Sequence, residues 1–348
     1  APWFEPCLPG AADRVIRYES SSAACETFAG DLARMPAQKL PVFALDSDVV
    51  TLAGGADGGV ALANDPDLGA HYRVTSERID VVAEPANPRA RVALMRVVRE
   101  VLVNAAQDAA PRLDLHAAAV ATAAGAVLLA GPKRAGKTTL LAQLVAEGAA
   151  GLIANDRVLV DVESTPPVAA GVPTLVAIRP GTLALYPRLR RSTDERPAIL
   201  HSRETPDRVG DAYEGAAAAR DFSLTPAQFA QRSAARTVGA APVAAIVFPE
   251  IDPRLTGRAL VALALEDGLA RLLAARYGAR SANRPGTIFE AASGVRDGAP
   301  ERSADQALRL AAAVPMYGCV LGTGASGESA AGLLRAVGIA SAPAERAR

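Results

Sequence analysis

Residues 131–138 read Gly-Pro-Lys-Arg-Ala-Gly-Lys-Thr and fit the pattern G-x-x-x-x-G-K-[S/T] in full. An apolar run, Gly125-Ala-Val-Leu-Leu-Ala130, leads directly into this segment. An apolar helical stretch, Leu140 to Glu147, follows it and ends before Gly148, a residue suited to closing a helix. Strand, glycine loop and helix in that order point to an α/β fold, because the next strand, Leu152-Ile-Ala154, can return beside the first in a parallel sheet with a crossover helix.

The residue types in the loop have physical reasons. A backbone that wraps a polyphosphate must turn its N–H groups inward, and glycine allows that geometry. The helix behind it aims its positive end at the same anion. Lys137 supplies a compact cation for the β- and γ-phosphates. The Thr138 hydroxyl suits Mg²⁺, which takes oxygen ligands and keeps much of its water. The candidate nucleotide-binding residues are Gly131, Pro132, Lys133, Arg134, Ala135, Gly136, Lys137, Thr138 and Thr139, with ATP and Mg²⁺ as the expected ligands. A glycine-rich turn that binds nothing is the bland alternative.

Composition adds weight at one position. The only lysines are Lys39, Lys133 and Lys137, so nearly all of the 37 basic residues are arginines. A lysine in the chain is therefore uncommon, and Lys137 stands where a guanidinium would fit poorly between phosphates. The 37 basic residues balance 37 acidic ones, which argues against a dedicated binder of nucleic acid or of anionic membranes. Half of the 348 residues are hydrophobic, enough for a packed core and unlike a disordered chain. No apolar run is long enough to span a bilayer, and residues 1–7 lack the basic-then-apolar order of a secretory signal. Cys7, Cys25 and Cys319 fit neither a metal site nor a disulfide framework; reduced thiols in a cytoplasmic protein are expected.

The chain divides in two. Residues 1–110 read as a smaller α+β domain of packing or substrate recognition, with strands at 15–18, 40–45, 49–52 and 71–74 and a helix over 89–108. Residues 54–59 read as a glycine-rich loop. Residues 111–340 hold the glycine loop. Further strands are expected at 116–120, 158–162, 242–249 and 316–321, and helices at 216–220, from Pro226, over 260–277 and over 305–313. Residues 187–208 read as a mobile connection and 278–303 as a polar loop.

A glycine loop alone does not define a reaction; a group must also orient or deprotonate the nucleophile. Asp156 is the nearest candidate, at the end of the strand after the loop helix, where ligand crevices of open α/β sheets form. A capping or turn aspartate is the alternative.

His116-Ala, then the strand, the glycine loop and its helix, then Asn155-Asp156-Arg157-Val158 together resemble the catalytic domain of HPr kinase/phosphorylase. In that family a His-Gly or His-Ala precedes the strand, and Asp-Asp-Arg-Val or a similar stretch follows the helix. Gly171-Val-Pro173, Ile178-Arg-Pro-Gly181 and Val247-Phe-Pro-Glu250 resemble later signature segments, so the likeness covers roughly residues 113–325 and is densest over 116–158. The nearer likeness is to HPr-kinase-like proteins of peptide and natural-product pathways, lasso-peptide kinases among them.

The resemblance implies an ATP-dependent kinase that moves a γ-phosphoryl group to a hydroxyl of a peptide, a protein or a small metabolite; the charge balance predicts no nucleic acid or membrane partner. It implies Lys137 on phosphate, Thr138 and Asp156 on the metal, Asp156 as the base, and His116 tuning Asp156. Read from the residue alone, His116 is equally a satisfied strand histidine. Arg157 is either a phosphate contact, a brace for Asp156, a structural ion pair or a solvated arginine. Arginines between 188 and 208, Arg254 and Arg258 are candidates for nucleotide or acidic substrate, with a solvated face as the alternative.

Two positions depart from the family pattern: Asn155 replaces the first aspartate of the pair, and Ala177 aligns with a metal-binding glutamate. The metal would then rest on Thr138, Asp156 and the nucleotide, with Glu250 as a further candidate, and the reverse phosphorolysis loses support. An ATPase or nucleotide switch that phosphorylates nothing is the alternative function. The resemblance leaves a homo-oligomer open.

Overall fold

The computed structural model describes residues 15–41, 49–53, 60–65, 68–75, 78–87, 93–95, 97–99, 103, 112–148, 150–189, 222–276, 299–323 and 330–339. These form a mixed α/β structure with two large sheets and a two-stranded one.

The first sheet uses β1 (Val15–Ser20), β2 (Ala37–Pro41), β3 (Val49–Ala53), β4 (Ala61–Asp65), β5 (Ala70–Val74) and β6 (Arg78–Ala83). Their order is β1-β6-β5-β4-β3-β2, antiparallel except for β1 beside β6. Alternation decides the faces: Ala70, Tyr72 and Val74 of β5 and Ile79 and Val81 of β6 point into one core with Ala93 and Val97. Helix α1 (Ser22–Ala33) covers the other face through Phe28 and Leu32 on Leu62. Ser21 caps it by accepting from the Ala24 amide. β2 overlaps the strand expected at 40–45 at Leu40 and Pro41, residues 42–45 lie outside the described residues, and α1 was not foreseen. Residues 93–95, 97–99 and 103 are helical, within the expected helix; the glycine loop at 54–59 lies outside the described residues.

The second sheet begins with β7 (Leu113–Leu115), β8 (Ala117–Thr122) and β9 (Gly125–Ala130). The loop at 131–136 and helix α2 (Lys137–Ala146) follow, then β10 (Gly151–Ala154), β11 (Arg157–Asp161) and β12 (Val168–Val172). A pair of short strands, β13 (Val176–Ile178) and β14 (Phe222–Leu224), flanks helix α3 (Pro180–Leu185) in sequence, and α4 (Pro226–Arg232) comes next. The long strand β15 (Ala240–Thr256), β16 (Arg258–Ala262), α5 (Leu265–Ala274), α6 (Ala299–Ala313), β17 (Met316–Thr323) and α7 (Ala330–Ala336) complete the chain.

The strand order is β10-β8-β9-β15-β12-β11-β7, with β17 on β15 and β16 on β17. β9, β15 and β17 run parallel, while antiparallel β8 stands between β9 and β10. The sheet is therefore mixed, and the crossover from β9 through α2 returns one strand further out than a simple parallel pair. β11 neither extends β10 nor forms a hairpin with it; it pairs with β7 and β12.

Every residue of β8 and β9 is buried, as expected of strands covered on both faces. Val127 and Leu129 face α2 through Leu140, Leu141 and Leu144. Ala126, Leu128 and Ala130 face the opposite layer, with Leu272 of α5 and Leu310 of α6. Burying each such leucine contributes roughly 1.5–3 kcal/mol. α4 starts where Thr225-Pro226 predicted, with a capping box between Thr225 and Gln228.

Two expectations fail at edges. Residues 258–262 are a strand, because their pairing with β17 outweighs helical propensity. α6 starts at Ala299, inside the segment read as a loop. The connection from 190 and the helix expected at 216–220 lie outside the described residues.

Among the described residues, Val103 of the helical segment clusters with Leu159 and Val172, and Leu175 packs against the core containing Ala93 and Val97. No helix among the described residues is long and apolar enough to cross a membrane. Cys25 and Cys319 are buried, neither in a disulfide among the described residues, and Cys7 lies outside the described residues.

Candidate active site

The loop leaves the end of β9 with Gly131 at φ 151°, Arg134 at φ 74° and Gly136 at φ 100°. Gly136 is the residue the geometry requires. A Cβ there would sit 3.0 Å from Leu321 Cδ1 and 3.2 Å from Ile251 Cγ1, in a backbone region that side chains disfavour. Gly136 is also the N-cap of α2 and supplies no side-chain cap, unlike Ser21 before α1 and Thr225 before α4.

Lys137 is 7% exposed, and its Nζ donates to the carbonyls of Gly131 at 2.7 Å and Pro132 at 3.0 Å. The ammonium thus folds back across the loop and holds its start against its end. Pro132, Lys133 and Arg134 are exposed, and Ala135 is buried. Thr138 is half-buried in the first turn of α2, and the hydroxyls of Thr139 and Thr182 share a 2.8 Å hydrogen bond that ties α2 to α3.

Asp156 lies in the turn between β10 and β11. Its Oδ1 is 3.1 Å from Nε2 of His116, which stands between β7 and β8, and the Asp156 and His116 side chains are 42% and 30% exposed. Burial pushes the Asp156 carboxyl up, but the His116 hydrogen bond and the charges of His116, Lys137 and Arg99 together outweigh it. The net result lies below the ordinary carboxylate value, so Asp156 is ionised at neutral pH. His116 and Asp156 are in contact, and Lys137 acts on the same carboxylate through its charge.

The residues around Asp156 have other partners. Asn155 is buried; its Oδ1 accepts from Thr174 Oγ1 at 2.9 Å and its Nδ2 donates to the Leu175 carbonyl at 2.8 Å. Ala177 is half-buried in β13 opposite Ser223 and offers no ligand. Arg157 is ion-paired with Asp114: its Nε donates to Asp114 Oδ1 at 3.0 Å and its Nη2 to Oδ2 at 2.6 Å. Glu250 is exposed on β15 beside Val320. Arg254 pairs with Asp252 at the surface, Arg258 donates to Gln143 of α2, and Arg188 is exposed.

Two residues that sequence reasoning missed bear on the site. The charge of Arg99, in the helical segment of the first region, helps lower the Asp156 carboxyl, and nothing in the hydrophobic spacing marks that arginine. Asp114 precedes His116 by two positions, and the only sequence signal for it was an acidic residue in an otherwise apolar short strand.

Asp156 and Thr138 are the oxygen donors that the resemblance implies for a divalent ion. Among the described residues no group of three or more His, Cys, Asp or Glu forms a protein cage. One carboxylate with one hydroxyl fits Mg²⁺ held mainly by phosphate oxygens and water.

No family model matches the chain, and no curated protein matches it.

Proposed function

We propose that the chain is an HPr-kinase-like P-loop phosphotransferase, which moves the γ-phosphoryl group of ATP to a hydroxyl of a peptide, protein or small molecule. The reading rests on one convergence: the Asp156 carboxylate is contacted by His116 and lowered by the charge of Lys137, the lysine of the glycine loop.

In this reading the phosphates cap α2, whose N-cap residue offers no side chain to do so. Lys137 exchanges its contacts with the Gly131 and Pro132 carbonyls for phosphate oxygens. The acceptor hydroxyl oxygen attacks the γ-phosphorus, the bond to the β,γ-bridging oxygen breaks, and the hydroxyl proton passes to Asp156. His116 holds the carboxylate in place and supports its ionised form. Thr138 and Asp156 would hold Mg²⁺, which supplies charge neutralisation on the phosphates.

Transfer from γ-labelled ATP is the test. Lys137→Ala and Asp156→Asn should each abolish it; transfer persisting in Asp156→Asn would remove the assignment of the base.

The second reading, an ATPase or switch that phosphorylates no acceptor, draws on Asn155 and Ala177, which leave one carboxylate where the family pattern has more. ATP turnover without labelled product across a wide set of acceptors would favour it.

A further inference from the structure

We propose that Asn155 and the Asp114–Arg157 pair are positioning residues, a strut that aims Asp156. The inference rests on the phosphotransfer reading for its kinetic part.

Asp156 is half-buried and lies between two neighbours with buried, fully engaged side chains. On one side, both ends of the Asn155 amide are used, one accepting from Thr174 and the other donating to the Leu175 carbonyl. A carboxylate could accept from Thr174 but would face the Leu175 carbonyl with a second acceptor. The surroundings of residue 155 therefore call for an amide.

On the other side, Arg157 grips Asp114 with Nε and Nη2, a forked geometry that fixes direction as well as distance. Asp114 pairs with Leu159 in the β7–β11 register, and Leu115 with Val158. The fork thus spans the two strands diagonally and opposes sliding between them. A slip of one residue would carry His116 about 3.3 Å past Asp156. The far side of the same segment is also fastened: the His116 amide donates to the Ala275 carbonyl at 2.8 Å, and Leu115 bridges to Arg276.

A buried ion pair is a weak source of stability, since a well-packed apolar pair often replaces it without loss. The direction fixed by the fork is the property an apolar pair would not restore. This separates a positioning role from a merely structural one.

The experiment compares wild type with Asn155→Asp, with the double variant Asp114→Leu/Arg157→Met, and with Arg157→Lys. Thermal midpoint, MgATP affinity by calorimetry, KM and kcat for transfer, and the imidazole ¹⁵N signals of His116 are measured. Asp156→Ala provides the His116 signature of a broken contact.

Asn155→Asp should lower the midpoint, leave Mg²⁺ affinity no tighter and reduce kcat. The apolar pair should keep its midpoint and its MgATP affinity, give the broken-contact signature, and lose kcat by about 10- to 100-fold with KM little changed. Arg157→Lys keeps the charge but loses the fork, and gives the same signature if the apolar pair does not fold. An intact His116 signature or a wild-type kcat in these variants would overturn the proposal, as would tighter Mg²⁺ with faster transfer in Asn155→Asp. If the wild type transfers phosphate to no acceptor, the phosphotransfer reading fails by itself, and the His116 signature still decides whether the strut aims Asp156.

Discussion

His116 Nε2 and Asp156 Oδ1 meet at 3.1 Å across 40 residues of chain. The contact lowers the carboxyl against the opposing effect of burial. Below the ordinary value of 3.8, Asp156 stays ionised in the folded chain at pH values where the unfolded chain is already protonated. Its contribution to stability is therefore present above that value and lost as pH falls through the folded pKa. His116→Ala should move the Asp156 midpoint upward, and the loss on acidification should begin at higher pH. Carboxyl-carbon NMR titration of Asp156 in the two proteins checks the direction; an unchanged midpoint would contradict the contact.

Lys137 holds the loop together and is also the cation offered to phosphate. Lys137→Ala should weaken ATP binding by on the order of 10²-fold or more, since a charge-assisted contact is lost. Lys137→Arg should not restore it, because the planar guanidinium does not fit the space between the Gly131 and Pro132 carbonyls. Calorimetric titration with MgATP distinguishes the outcomes. Affinity recovered in Lys137→Arg would show that charge alone suffices.

Two glycines flank α2 and should respond differently to alanine. At Gly136 the new methyl meets Leu321 and Ile251 at φ 100°, so the loop must distort. Gly136→Ala should cost about 1–3 kcal/mol of stability and also weaken ATP binding. At Gly148, with φ 70°, an added methyl would find nothing within 4 Å. Gly148→Ala should therefore cost only about 1 kcal/mol and leave binding unchanged. Urea midpoints and ATP titrations on both variants make the comparison.

Tyr186 follows α3, and its buried hydroxyl has no hydrogen-bond partner among the described residues. Burial, with a further push from Glu147 against the pull of Arg258, raises its pKa to about 12 from an ordinary 10.0. The folded chain thus keeps a proton that the unfolded chain gives up between those values. Its effect on stability is absent below pH 10 and grows as a loss when pH rises towards about 12. Tyr186→Phe should match or exceed the wild type at neutral pH, by up to about 1 kcal/mol, and should lose less stability in the alkaline window. Denaturation midpoints across that window test it.

The loop region was legible in the sequence because its signals are local. The β9 run, Gly136, Lys137 and Gly148 each act within a few residues, and α2 ends where Gly148 predicted. The Thr225-Pro226 start of α4 is local in the same way. What escaped depends on distant partners. The segment at 258–262 is a strand only because β17 lies beside it. Arg157 became a structural pair because Asp114, 43 residues away, is its partner. The Asn155 amide was open to weak ligation or to hydrogen bonding, and only the fold brings Thr174 and the Leu175 carbonyl to its two ends. Arg99 carries no mark in its own helix, since only the fold brings its charge to Asp156.

The seam between the two sheets bears on how such a chain can be inherited. Val103 covers Leu159 and Val172 in the strands on either side of the β11–β12 connection, while Leu175, next to the anchor of Asn155, is packed by the first region. A copy cut to begin at residue 112 would expose those side chains and remove the Arg99 charge from Asp156. A first region exchanged for another would have to bring both an apolar seat and a cation with it.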